Sequence, residues 1–184
     1  MEALKLEEKY TYADYYTWDD GKRWELIDGF AYLMSPAPVE RHHDCAVELF
    51  EKLRNFLKGK PCKVFIAPFD VRLKADSTDD TVVQPDVFVV CDESKRDGKS
   101  ITGAPDFIIE VLSPSTSRYD KLTKSKLYQD TGVKEYWIVD PVDEIIAVNL
   151  LVDGKYELTL YGEGEIPVSV LEGCTINLSE VFSQ

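Results

Sequence analysis

"PDFIIEVLSPSTSRYDKLTKSKLY" occupies residues 105–128, and its reading decides the fold. The first part, "DFIIEVLS", has the aromatic and β-branched content of a strand. The continuation, "STSRYDKLTKSKLYQDTG", reads as a helix, with Ser115, Thr116 or Ser117 as its N-cap and Gly132 as its stop. Alternate strand residues point to opposite faces. Phe107, Ile109 and Val111 therefore share one face, and Ile108, Glu110 and Leu112 share the other. Glu110 is flanked by apolar residues on its own face, where an ionised carboxylate costs several kcal/mol unless a metal or a base compensates it.

A second acid has the same setting. Asp86, in "VVQPDVFVVCD", heads the apolar run "VFVV", and Pro85 before it marks a strand start or an edge position. If this strand neighbours the Glu110 strand, the two carboxylates lie side by side. Such carboxylates repel each other, and an oxygen-loving divalent ion is the usual reason to keep both ionised. An Asp capping a turn and a Glu paired with a lysine is the structural alternative. On the following helix, 3.6 residues per turn place Lys124 with Lys121, Leu127 and Tyr128, and Lys126 opposite. Leu122 also falls opposite, so the inward face stays open, and a surface lysine remains the plain alternative.

The remaining segments supply the frame. "TYADYYTWDD" reads as a short helix capped by Thr11. "RWELIDGFAYLM" and "IIAVNLLVDGKYELTLYGEG" read as hairpins turning at Asp28-Gly29 and Asp153-Gly154. From about His42 to Leu57, Ala46, Leu49, Phe50, Leu53, Phe56 and Leu57 recur at helical spacing. "KVFIAPFDVRLKA" and "TVVQPDVFVVCD" read as single strands around the turn "DSTDD", and "EYWIVDP" as a short buried strand in which Trp137 packs. The order is helix, hairpin, helix, three strands, helix, strand and closing hairpin. That is an α/β fold, a mixed β-sheet flanked by helices with additional β-hairpins at the N- and C-terminal sides.

The 184 residues fit a single domain, 1–184, with a real core. No apolar run approaches the roughly 20 residues that span a bilayer, and the polar, acidic N-terminus is no signal peptide, so a cytoplasmic protein without membrane contact is expected. Cys45, Cys62, Cys91 and Cys174 show no metal or redox spacing and read as reduced packing residues. The formal net charge of −13 argues at first sight against a nucleic-acid partner. It is unevenly spread: residues 135–184 carry a net −9 and residues 118–134 a net +3. The basic segment is either a solvated helix face or a contact for a polyanion.

The "PD" of residues 85–86, Glu110 in its apolar strand and a lysine beyond it resemble the PD-(D/E)XK nuclease superfamily, the fold of many restriction and repair endonucleases. A longer series is more specific. "WELIDG", "MSPAPVERHH" opening a helix, "QPDVFVV", "IIEVLSPSTSRYDKLTKSKLY" and "GVKEYWIVDP" fall in order over residues 24–141 and resemble the Uma-two type restriction endonuclease family. The resemblance implies a restriction-endonuclease-like fold in which Asp86 and Glu110 bind the metal, Mg²⁺ or Mn²⁺. It matches Glu25 to an acid of this family and His42 to a position at the start of the second helix. His42 would contact the scissile phosphate or a metal-bound water, or simply pair with a neighbouring carboxylate. Where the superfamily carries its lysine, two residues after the second acid, this chain has Leu112. The matching lysine is Lys124 on the next helix, with Lys121 and Lys126 as substitutes. Tyr128, one turn after Lys124, would steady that lysine, reach the phosphate backbone or pack in the core.

The implied activity is metal-dependent endonucleolytic hydrolysis of DNA, with the basic 118–134 segment facing the nucleic acid and a homodimer cutting both strands. Two other readings compete. A nuclease fold without effective catalysis would serve as a binding or regulatory module, and a metal-dependent hydrolase of a small phosphate ester would tolerate the negative charge better.

Overall fold

A computed structural model of the chain describes residues 8–34, 39–75, 78–113 and 118–183. The candidate caps Ser115, Thr116 and Ser117 lie outside the described residues. A capped turn, α1 (Tyr12–Tyr15), begins at Thr11, whose side chain accepts from the Asp14 N–H while Asp14 returns the bond. The hairpin β1 (Trp24–Ile27) and β2 (Phe30–Leu33) turns at Asp28 and Gly29, with φ of 53° and 84°. Both central residues of such a turn need positive φ, which is why Asp-Gly is favoured there. Helix α2 (Glu40–Phe56) starts two residues before the expected His42 and buries Cys45, Ala46, Leu49 and Leu53 along one stripe.

Each of the two runs expected to form one strand forms two. "KVFIAPFDVRLKA" divides into β3 (Lys63–Ile66) and β4 (Val71–Arg72), and "TVVQPDVFVVCD" into β5 (Val82–Val83) and β6 (Val87–Val90). Pro68 and Pro85 lie in the gaps, and a proline cannot donate to a ladder. The chain passes there from one sheet to another. After β7 (Ile101–Thr102) come β8 (Phe107–Val111), α3 (Arg118–Thr131) and β9 (Glu135–Asp140). The hairpin β10 (Ile145–Val152) and β11 (Lys155–Tyr161) turns at Asp153-Gly154 as expected. It is not the end of the fold, because β12 (Glu165–Pro167), β13 (Thr175–Asn177) and α4 (Leu178–Phe182) follow.

The first sheet has the order β2-β1-β5-β4-β7, the second β11-β10-β9-β8-β6-β3, and β12 pairs with β13. Both larger sheets are mixed, since β4 pairs with β7 and β8 with β9 in parallel. Period-two alternation distributes the side chains among three cores. Phe107, Ile109, Val111, Val87, Val89 and Trp137 pack with α2 and the C-terminal elements. On the reverse face Phe88, Val90, Ile108 and Tyr136 meet Ile27, Val71, Val83 and Ile101 of the first sheet, together with Leu127 and Tyr128 of α3. Trp24 and Leu26 point the other way, toward Tyr12, Tyr15 and Trp18. Even-numbered positions of β6 and β8 thus face the layer between the sheets, and that is the layer Glu110 enters.

One expectation about the cysteines is corrected. Cys45 and Cys174 are free and buried, but Cys62 and Cys91 form a disulfide. Lys63 opposes Val90 in the antiparallel β3–β6 pair, so the residues just outside it are brought opposite each other. Among the described residues, no helix is long and apolar enough to cross a membrane.

Candidate active site

Asp86 immediately precedes β6, and Val87 opposes Ile109 on antiparallel β8, so the register carries Asp86 to a place opposite Glu110. Directly opposed residues have Cβ atoms about 5 Å apart. Asp86 is fixed there by the Val111 N–H, which donates to its Oδ2 at 2.8 Å. On its other oxygen, Oδ1 lies 3.4 Å from Nε2 of His42, in the first turn of α2. The expected neighbourhood of the two acids is therefore present.

The lysine approaches from α3. The Lys124 ammonium donates to Glu110 Oε1 and to Glu25 Oε1, both at 3.0 Å. Of the two faces that helical periodicity left open, the one with Lys124 is inward: Leu127 and Tyr128 are buried beside it, while the Lys126 side chain is 76% exposed and pairs with Asp130. Of its anticipated roles, Tyr128 shows core packing, and its hydroxyl goes to Glu110 and not to Lys124. It is fully buried, and its hydroxyl donates to Glu110 Oε1 at 2.7 Å. Glu25 comes from the opposite sheet, where it shares a face of β1 with Ile27 and is 1% exposed. Its Oε1 also accepts from the Gln84 N–H at 3.0 Å, while its Oε2 is buried without a hydrogen-bond partner.

Two contributors were not singled out from the sequence. Gln84 stands at the crossing between β5 and β6, and its backbone N–H is the last donor before Pro85. Its side-chain amide bonds Tyr15 and Asp70, and its carbonyl accepts from Arg23. The Val111 amide that holds Asp86 was likewise invisible, because backbone donors carry no side-chain signal. Of the basic segment 118–134, the side chains of Arg118 and Lys121 lie outside the described residues. Lys124 faces inward, Lys126 pairs with Asp130, and Lys134 pairs with Asp106.

Three carboxylates around one ammonium leave an excess of negative charge. Burial pushes the Glu110 carboxyl up to about 7, with the charges of Asp86 and Glu25 adding to the rise and Lys124 and Tyr128 opposing it. Burial alone would lower the Lys124 pKa, but Glu110 and Glu25 hold it well above the ordinary lysine value. Burial would also lower that of His42, and Asp86 outweighs it, raising the imidazole above its usual value.

The donor set suits a hard divalent cation. Among the described residues no group of three or more His, Cys, Asp or Glu side chains is arranged to hold a metal. Two opposed carboxylates are nonetheless the kind of partial protein shell with which Mg²⁺ retains several waters. The unpartnered Glu25 Oε2 adds a further oxygen acceptor in the same layer.

Residues 12–179 match the model of the Uma2 family, described as "Putative restriction endonuclease". The chain belongs to this family. It is 32% identical over 129 residues to an uncharacterised protein of Synechocystis, a match that covers 68% of this chain and 66% of that protein. Its fold is similar to the crystal structure of a "putative nuclease belonging to DUF820" from Anabaena variabilis. The TM-score there is 0.76 at 19% identity, covering 95% of this chain and 98% of the other. Membership of the Uma2 family supports a nuclease-type function, and the structural likeness at 19% identity shows the shared fold.

Proposed function

We propose that this Uma2 protein is a divalent-metal-dependent endonuclease that hydrolyses phosphodiester bonds of DNA, working in the cytoplasm as a homodimer of single nuclease-like domains. The observation that carries this reading is the meeting of Asp86 and Glu110 from neighbouring strands with the inward Lys124 ammonium. Asp86 and Glu110 would hold Mg²⁺ or Mn²⁺. When bound, the ion supplies Lewis acidity and neutralises charge on the reacting phosphoryl group. Lys124 places a fixed cation beside the carboxylates, where it orients the attacking water or stabilises the attacked phosphate. Because Glu110 and Glu25 already position it, little reorganisation accompanies the reaction. Glu25 and Tyr128 act through Lys124 and Glu110, as positioning residues. His42 orients Asp86 from α2.

The test is incubation of supercoiled plasmid with the purified protein and Mn²⁺, beside an Asp86→Ala control. Wild type is expected to nick and linearise the plasmid and the variant to leave it intact. Equal behaviour of the two proteins, cutting or not, would overturn the reading.

A further inference from the structure

The most basic stretch of the chain is not the helix beside the site. Residues 52–69, "KLRNFLKGKPCKVFIAPF", contain Lys52, Arg54, Lys58, Lys60 and Lys63 and no acid, on a protein whose net charge is −13. Lys52 pairs with Glu48 and Glu180. Among the described residues the other four have no carboxylate partner. Instead, three of them lie over phenylalanine rings: Arg54 over Phe50, Lys60 over Phe56 and Lys63 over Phe65, at 5.9, 3.1 and 5.6 Å from the centroids. A ring orients a cation without neutralising it, so the positive charge stays available to an outside anion. Arg54, Lys58 and Lys63 rim a recess of about 390 Å³ whose apolar wall includes Phe50, Leu57 and Val64.

The place of this patch is set by the sheet. Lys63 opposes Val90, and Asp86, just before the same strand, lies four residues earlier. At about 3.3 Å per residue that is about 13 Å along β6, with roughly 5 Å more across to β3. Phosphates along one DNA strand advance by about 3.4 Å, so a backbone held at the carboxylates reaches this distance within about four nucleotides. β3 is the edge strand of its sheet, leaving the patch open on that side.

We infer that Arg54, Lys58, Lys60 and Lys63 form a second contact for the phosphate backbone of the DNA whose scissile bond lies at Asp86 and Glu110. The inference rests on the proposed nuclease reading and names the surface that holds the substrate. It also gives a strongly acidic protein a local positive surface with which to engage a polyanion.

Binding of a short fluorescent DNA duplex is measured by anisotropy across a salt series, with EDTA present so that no cutting occurs. Lys58→Gln/Lys63→Gln is compared with wild type, with a charge-keeping Lys58→Arg/Lys63→Arg pair and with a distant Lys99→Gln/Lys155→Gln pair. The Gln pair at the patch is expected to weaken binding alike for unrelated sequences. It should also flatten the slope of log K against log salt by about 1.8 for two lost contacts. The Arg pair and the distant pair should behave as wild type. An unchanged slope at the patch, an equal loss from the distant pair, or displacement of DNA by polyglutamate at matched charge would each overturn the inference. Patch-dependent binding without plasmid cleavage would sink the nuclease reading and leave the patch standing. Cleavage with normal binding by the patch variant would do the reverse.

Discussion

Lys124 and Lys126 are two residues apart on one helix and differ in almost every physical respect. Removing the Lys124 ammonium leaves Glu110 and Glu25 facing each other in a nearly closed layer, with side chains 14% and 1% exposed. Lys124→Met is therefore expected to destabilise by about 3–5 kcal/mol and to abolish plasmid cutting. Lys126→Met, at an exposed (i, i+4) pair, should cost no more than about 0.5 kcal/mol and leave cutting intact. Denaturant melts and the plasmid assay check both, and the reverse order would mean that the inward face of α3 has been misassigned. Glu110 gives a pH signature. Its folded pKa of about 7 lies above the ordinary 4.5, so the stability it contributes is complete below about pH 4.5 and is lost as pH rises through about 7. Glu110→Gln does not titrate. In metal-free buffer it should match wild type near pH 4.5 and exceed it above pH 7 by on the order of 1–3 kcal/mol. Urea melts across that window are the measurement, and a Gln variant less stable than wild type at the alkaline end would contradict the charge excess described for the site.

At the level of elements, Glu135 shows how β9 anchors the C-terminal segment. It is fully buried, accepts from Trp137 Nε1 at 2.8 Å on one oxygen and from the Val170 N–H at 3.0 Å on the other, and among the described residues has no cation paired with it. Glu135→Ala orphans both donors and is expected to cost about 2–4 kcal/mol, whereas Glu135→Gln keeps one acceptor and should cost less. Thermal melts rank the two, and equal losses would show that volume, not hydrogen bonding, is what matters there. Element structure also explains what the sequence disclosed. Strong periodicity exposed β8 and α2, and the Asp-Gly pairs exposed both hairpins, whereas the inward face of α3 was left open by Leu122 and is decided by packing. The same alternation argument that isolates Glu110 applies to "WELI", yet there it is blurred because both faces of β1 are buried, so Glu25 came only from the family resemblance. Pro68 and Pro85 were visible, but nothing local says that a chain resumes in a different sheet. β12 and β13 have three residues each, too few for a period to appear. The Cys62–Cys91 pairing depends on the β3–β6 register, which is a tertiary fact. The basic 52–69 stretch was legible all along, and the division of its lysines from those of α3 was not, because pairing with carboxylates is decided by packing.

The whole molecule is organised so that the site ties its layers together. Glu25 belongs to one sheet, Asp86 and Glu110 to the other, Lys124 and Tyr128 to α3, and His42 to α2. An ion bound at the carboxylates acts on the native arrangement alone, since the unfolded chain scatters these groups along the sequence. Binding therefore stabilises the whole fold by RT ln(1 + [L]/Kd), about 2.7 kcal/mol at a hundredfold excess over Kd. For a domain of this size each kcal/mol raises Tm by about 2–4 °C, so a saturating dose of Mn²⁺ should raise it by about 5–10 °C. The proton competes for the same oxygens. Since the Glu110 carboxyl titrates at about 7, the shift should be near full at about pH 8 and much smaller at about pH 5.5. Asp86→Asn removes one of the two proposed ligands and should lose most of the shift at either pH, while Lys99→Gln, remote from the site, should keep it. Differential scanning fluorimetry with and without EDTA makes the comparison. A shift of equal size in Asp86→Asn, or one indifferent to pH between about 5.5 and 8, would place the ion somewhere other than between β6 and β8.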